Sequence, residues 1–187
     1  GEVNETVVSS DIYAGGIAGM NGSLGIISAE TDYATLLSVT VTNKTDKFAN
    51  VYIGGVAGYA DGAITTVNIS NSKLAIGDTA EAGGKASIGG IVGYLTNAIA
   101  ERFYIKDVTI NARTNEGSYA GGVVGQVFLK NRDRGVRQSV VEACSITGHK
   151  AGGVTGSLNV DYDFTINAEQ ISWVFPRLLW TEATYTT

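Results

Sequence analysis

Residues 89–94 read Gly-Gly-Ile-Val-Gly-Tyr, and the pattern of the first five positions recurs at residues 15–19 (GGIAG), 54–58 (GGVAG), 121–125 (GGVVG) and 152–156 (GGVTG). Successive first glycines are 39, 35, 32 and 31 residues apart. A block kept this closely while its spacing drifts marks one structural unit repeated with loops of unequal length. The five blocks hold 15 of the 25 glycines in the 187-residue chain. Glycine therefore stands at about 13% of the residues, roughly twice its usual share.

Between the blocks lies a weaker motif of alternating character: Val39-Thr40-Val41, Leu74-Ala75-Ile76, Val108-Thr109-Ile110, Cys144-Ser145-Ile146 and Phe164-Thr165-Ile166. Upstream of it, Ile69-Ser70-Asn71, Ile105-Lys106-Asp107 and Val141-Glu142-Ala143 suggest another short strand. Alternation with period 2, β-branched content and no long stripe of period 3.6 select strand over helix, two or three strands to a repeat. Equal strands with unequal loops predict an all-β parallel β-helix or β-solenoid of about five rungs, in which each repeat stacks on the next. A propeller, needing about four strands per blade, is the competing architecture.

Glycine weakens a strand, so its recurrence at one place implies that the backbone bends, adopts positive φ or approaches something closely. The column Ile17, Val56, Ile91, Val123 and Val154 is the expected inward stack. Ala18, Ala57, Val92, Val124 and Thr155 would then face the other way, under loops, the tail or a partner.

Composition removes several classes. Pro176 stands alone and the glycines do not fall at every third position, which excludes collagen. No apolar run is long enough to cross a bilayer as a helix. A net charge of −5 and a pI near 4.8 argue against a nucleic-acid surface. The single cysteine, Cys144, allows no internal disulfide, and its neighbours Val140, Val141 and Ile146 predict a buried structural thiol.

The block GGIVGY at residues 89–94, followed by the strand IKDVTI at 105–110, resembles the GLUG-type repeat, in which a Gly-Gly-Leu/Ile-Val-Gly-Tyr block alternates with such a strand. GGVAGY at 54–59 fits equally well, whereas GGIAGM, GGVVGQ and GGVTGS depart at the last position, and the spacing is longer than is usual for that family. The likeness spans about residues 13–167. It implies a β-helical array in a secreted or cell-surface, adhesin-like protein, and it carries no catalytic residues.

Side-chain chemistry is sparse. His149, the only histidine, sits in a turn between Gly148 and Lys150. One His and one Cys build no metal site of the zinc type, and Asp161-Tyr162-Asp163 lacks the dense Asp/Asn/Gly loop of a calcium site. No cofactor and no metal is expected. The glycine blocks lack the Lys-Ser/Thr of a phosphate loop. A basic cluster, Lys130, Arg132, Arg134 and Arg137, follows the fourth block and would grip an anionic sugar or acidic partner, or else serve as a solvated loop. Tyr13, Tyr52 and Tyr119 lie two positions before their blocks, and Tyr59 and Tyr94 just after theirs. In a solenoid these form two tyrosine ladders, stacked on one another or on carbohydrate. Sequons at Asn4, Asn21, Asn43 and Asn68 matter only where the source glycosylates.

Residues 1–12 read as a cap or lead-in strand, 13–167 as the repeats, and 168–187 as an aromatic cap or intermolecular segment in which Trp173, Phe175 and Trp180 are the candidate contacts. The expected role is a non-enzymatic, extracellular or cell-surface structural or adhesin-like module whose partners are other surface proteins, copies of itself or glycans, not nucleic acid. The alternatives are a carbohydrate-binding or polysaccharide-degrading β-helix and a self-assembling filament subunit.

Overall fold

The computed structural model describes residues 11–28, 38–41, 50–76, 84–113 and 116–161. The first repeat contributes β1 (Ile12–Gly15), β2 (Ala18–Asn21), β3 (Ile26–Ser28) and β4 (Ser38–Val41), and the second β5 (Val51–Gly54), β6 (Ala57–Ala60), β7 (Ala63–Ser70) and β8 (Lys73–Ile76). The third supplies β9 (Ala86–Gly89), β10 (Val92–Thr96), β11 (Ile99–Lys106) and β12 (Thr109–Asn111). The fourth supplies β13 (Tyr119–Gly121), β14 (Val124–Leu129), β15 (Gly135–Glu142) and β16 (Ser145–Thr147), and β17 (Lys150–Gly152) and β18 (Thr155–Val160) follow. Each complete repeat thus has four strands, more than the two or three expected, because every glycine block separates two short strands instead of lying within one.

The strands form four sheets, in the orders β1-β5-β9-β13-β17, β18-β14-β10-β6-β2, β15-β11-β7-β3 and β16-β12-β8-β4. Every pairing is parallel and joins equivalent strands of adjacent repeats. Among the described residues the chain is all-β, and its parallel sheets are consistent with a β-helix or solenoid. Propeller blades, built from neighbouring antiparallel strands of one repeat, do not produce this pairing.

One apolar cluster runs through all four sheets: Ile53 and Ile88 from the first, Leu95 and Val127 from the second, Ile64, Phe103 and Ile105 from the third, Leu74 and Ile110 from the fourth. Of the expected inward column, Val56, Ile91 and Val123 are wholly buried, Val154 packs against the cluster, and Ile17 is exposed at the first repeat. Ala57, Val92 and Val124, expected on an opposite face, are wholly buried by the protein itself.

The fourth-sheet motif keeps its sequence alignment at two junctions, Val39 beside Leu74 and Ile110 beside Ile146, and slips by two residues at the one between them, where Leu74 lies beside Ile110 instead of Val108. An offset of two leaves each side chain on the same face, so alternation alone does not define the register.

Positive φ falls elsewhere than on the repeated glycines. It occurs at Thr66, Arg102 and Gln138, which share one level of the third sheet, and at Asn71, Asp107 and Ala143 just beyond it. The first set shifts the inward alternation by one, so that Ile64 and Val67, and Ala100 and Phe103, both point to the core three residues apart. The block glycines answer to close approach instead. A Cβ on Gly58 would stand 2.5 Å from Ala14 N and 2.8 Å from Tyr52 O, and one on Gly93 would stand 2.6 Å from Ile53 N. The strand after the block therefore packs directly on the backbone of the strand before it.

Trp173, Phe175, Trp180, Asn4, Asn43, Asp163 and the motif 164–166 lie outside the described residues, as do most of the proposed N-terminal cap and all of the tail at 168–187.

Candidate functional site

The tyrosines that frame the glycine blocks are brought together. Residues before a block lie on the first sheet and residues after it on the second, and the close glycine packing sets the two backbones near enough for their rings to meet. Tyr13 and Tyr52 stack in register with centroids 5.2 Å apart and planes 12° from parallel. Tyr52 stacks in turn on Tyr94, at 5.4 Å and 21°. Tyr59 meets Tyr13 and Tyr94 edge-on, at 5.6 Å and 5.8 Å. The two expected ladders are thus one four-ring cluster. Tyr119 is not part of it, since Ser87 takes the intervening level, and its ring instead carries the Lys150 ammonium 6.0 Å from its centroid.

Polar groups border the rings. The Tyr13 hydroxyl donates to Asp11 Oδ2 at 3.4 Å, Asn50 Nδ2 donates to Asp11 Oδ1 at 3.0 Å, and the Tyr59 hydroxyl lies 2.9 Å from Thr96 Oγ1. Burial, followed by the Asp11 carboxylate and the neighbouring phenols, pushes the Tyr52 hydroxyl up to about 12. Burial likewise raises Tyr13, with Asp11 adding to it, and raises Tyr94, with Tyr59 adding to it. These phenols stay protonated at neutral pH, so they are hydrogen-bond groups and not nucleophiles. Tyr52 is stacked between Tyr13 and Tyr94, and Tyr59 meets both outer rings edge-on. Contacts among the rings account for the cluster by intramolecular packing.

The basic cluster sits on a different corner, between β14 and β15. Lys130, Arg132 and Arg134 are exposed and Arg137 is half-buried. The Lys130 ammonium lies 5.7 Å from the Phe128 ring centroid, and the Arg137 guanidinium folds back to donate to the Asp133 carbonyl. Asp133 N in turn donates to Asn131 Oδ1 at 3.0 Å, giving the loop a local turn. Arg134 N donates to Asn131 O at 3.3 Å within this turn, and the residue is exposed to solvent.

A third group escaped the sequence reading. On the outer face of the third sheet, Tyr104 donates to Glu142 Oε2 at 2.7 Å and Lys106 Nζ lies 3.0 Å from Glu142 Oε1. These two hydrogen bonds hold the Glu142 carboxyl below its ordinary value, and the same contacts raise Tyr104 and Lys106. The contacts cross between adjacent repeats, so no pattern inside one repeat reveals them. All three groups are solvated, and they bind one another instead of converging on a vacant point.

The remaining candidates differ in environment. Asn21 is 7% exposed, and its amide donates to Gly25 O at 3.4 Å and Ala63 O at 3.2 Å, which commits this sequon residue to the backbone. Asn68 is half-buried on the third sheet, beside Tyr104. Cys144 is half-buried with its Sγ 3.3 Å from Glu142 O, and burial raises its thiol, which suits a structural side chain. His149 is exposed in its turn.

No family model matches the chain, and no solved structure matches it. Halomucin of Haloquadratum walsbyi is similar to it, with 29% identity over 161 residues. That alignment takes in 82% of this chain and only 2% of the relative, so the chain corresponds to a small fraction of Halomucin's length.

Proposed function

We propose that the chain is a non-enzymatic structural or adhesin-like module of an extracellular or cell-surface protein, formed by its five repeats coiling as the rungs of a closed β-solenoid. The observation that carries this reading is the four-fold, wholly parallel pairing of equivalent strands around one apolar cluster. Such a stack is stiff and extends by adding repeats, and its unequal loops are free to vary on the outside. The GLUG-type resemblance supports a surface role, as does the similarity to a protein named as a mucin. Other surface proteins, further copies of the chain or glycans are the partners such a module would meet.

The exposed Arg134 supports one competing function, recognition or cleavage of an anionic polysaccharide. A glycan array, paired with turnover assays on acidic polysaccharides, separates the two. The structural module shows no turnover. Turnover that disappears in Arg134→Ala, in a chain with an unchanged circular dichroism spectrum, overturns it. The solenoid itself is tested by inserting a short flexible peptide after Arg132, at a corner, and after Tyr104, in β11. The corner insertion should leave the melting profile intact and the strand insertion should abolish folding; equal tolerance of both would contradict stacked rungs.

A further inference from the structure

Three phenol rings form a continuous stack across three repeats. Tyr52 lies between Tyr13, with centroids 5.2 Å apart and planes 12° from parallel, and Tyr94, at 5.4 Å and 21°. Tyr13 and Tyr52 are a register pair of β1 and β5, so their Cα atoms stand one strand spacing apart, about 4.8 Å. Tyr59 is nearly as close but differently oriented: it meets Tyr13 at 5.6 Å and Tyr94 at 5.8 Å with planes 70° and 71° apart. The two remaining described tyrosines face charges instead of rings. Tyr104 donates to Glu142 Oε2 at 2.7 Å, and Lys150 Nζ lies 6.0 Å from the Tyr119 centroid.

A phenol that loses one electron and one proton becomes a phenoxyl radical, whose unpaired electron is shared between the oxygen and the ortho and para carbons. It occupies orbitals perpendicular to the ring plane. Two such rings form a carbon–carbon bond where these orbitals point at one another. Stacked planes meet that condition, whereas an edge-on ring presents the node of its orbital to its neighbour. Orientation therefore selects Tyr13–Tyr52 and Tyr52–Tyr94 and rejects both Tyr59 pairs, although the centroid distances differ little. Because the rings are already neighbours, coupling is a reaction within one chain and needs no encounter in solution.

A proton acceptor stands beside the stack. Asp11 Oδ2 accepts from the Tyr13 hydroxyl at 3.4 Å, and Asn50 Nδ2 holds the other carboxylate oxygen at 3.0 Å. Burial keeps Tyr13, Tyr52 and Tyr94 protonated at neutral pH, so each electron must leave with its proton.

From this geometry we infer that the Tyr13–Tyr52–Tyr94 stack is an oxidative cross-linking site, where a one-electron oxidant of the peroxide-dependent haem peroxidase class joins Tyr52 to a stacked neighbour. Two phenols and one hydrogen peroxide give one dityrosine and two waters. Each ring gives up one electron and its phenolic proton, that of Tyr13 by way of Asp11. The bond forms between ortho carbons, and the two ortho hydrogens then leave as protons while the oxygens regain theirs, restoring both phenols. Peroxide takes up the two electrons and two protons as its O–O bond breaks. The product is a covalent staple between consecutive repeats. The inference rests on ring geometry and strand pairing, not on the surface role proposed above.

Oxidation of the full chain by hydrogen peroxide and a haem peroxidase, followed by dityrosine fluorescence and peptide mapping, tests this. The wild type should gain dityrosine emission with a yield per chain independent of protein concentration and run as a single chain on a denaturing gel. Its cross-linked peptides should join Tyr52 to Tyr13 or Tyr94. Tyr52→Phe, which keeps the ring and loses only the hydroxyl, should lose this intrachain product, and Tyr59→Phe should retain it. Unfolding the wild type in urea before oxidation should also remove it. A wild type with its native circular dichroism spectrum that forms no intrachain dityrosine overturns the site and leaves the proposed function standing. So does a bond that runs to Tyr59 or to a tyrosine outside the cluster, or the same product from the urea-unfolded chain or from Tyr52→Phe. Should Tyr52→Phe fail to fold, the wild-type peptide map and Tyr59→Phe decide the matter.

Discussion

Replacing Gly93 by alanine measures the close packing on which the fold depends. The new Cβ would stand 2.6 Å from Gly58 O, 2.6 Å from Ile53 N and 2.9 Å from Tyr52 C. Carbon contacts are relaxed from about 3.5 Å outward, so the backbone must open by somewhat less than ~1 Å. All three obstacles are main chain, and β10 is paired on both sides by β6 and β14, so no rotamer change relieves them. Overpacking a core costs about 1–3 kcal/mol, and a rigid backbone on every side places this case at the upper end. Alanine restricts the unfolded chain and returns about 0.4–1 kcal/mol. The net expectation is a loss of about 2 kcal/mol. With a urea slope of about 2 kcal/mol/M, the unfolding midpoint followed by circular dichroism falls by about 1 M. Gly22→Ala, where the added methyl meets nothing within 4 Å, should stay within about 0.5 kcal/mol of the parent. A Gly93→Ala chain as stable as the Gly22→Ala chain would refute the account of the glycine blocks.

Two further outcomes follow from the same geometry. Ala143 is exposed with φ 51°, a region that costs an L-residue about 1–2 kcal/mol, so Ala143→Gly should raise stability by about 0.5 kcal/mol after the added unfolded-state freedom is subtracted, and the urea midpoint by about 0.25 M; a lower midpoint would count against the left-handed turn. The Tyr52 hydroxyl, raised in the folded chain from 10.0 to about 12, contributes stability that is complete below pH 10 and lost as pH rises to about 12. Stability measured across that window should therefore fall more steeply for the parent than for Tyr52→Phe, and equal slopes would show that the ring is not held in the buried cluster.

The tyrosine and glycine positions show where a repeat pattern is informative and where it stops. Alignment of the blocks placed Val56, Ile91 and Val123 in one inward column, because equivalent residues of parallel stacked repeats must share a level. The same alignment predicted two separate tyrosine ladders. It carried no information on the distance between the first and second sheets, and that distance fuses Tyr13, Tyr52, Tyr59 and Tyr94 into one cluster. The Tyr104, Lys106 and Glu142 contacts went unseen for a similar reason, since they join side chains of different repeats. Arg134 was found from charge clustering alone, and its exposure agrees with the solvated loop as well as with a binding role.

By itself the sequence determined the all-β class and the five-fold repetition of the glycine block, and it favoured parallel stacking over a propeller and placed Val56, Ile91 and Val123 inward, because these follow from periodicity, a local property of the chain. Only the tertiary structure decided why glycine recurs. Its block positions serve close backbone approach, while the left-handed turns fall to Thr66, Arg102 and Gln138 and to Asn71, Asp107 and Ala143. The fourth-sheet register and the burial of Asn21 were decided there too. A two-residue slip preserves alternation, and a sequon reads the same inside or outside, so distances between sheets, which no local pattern encodes, had to settle both.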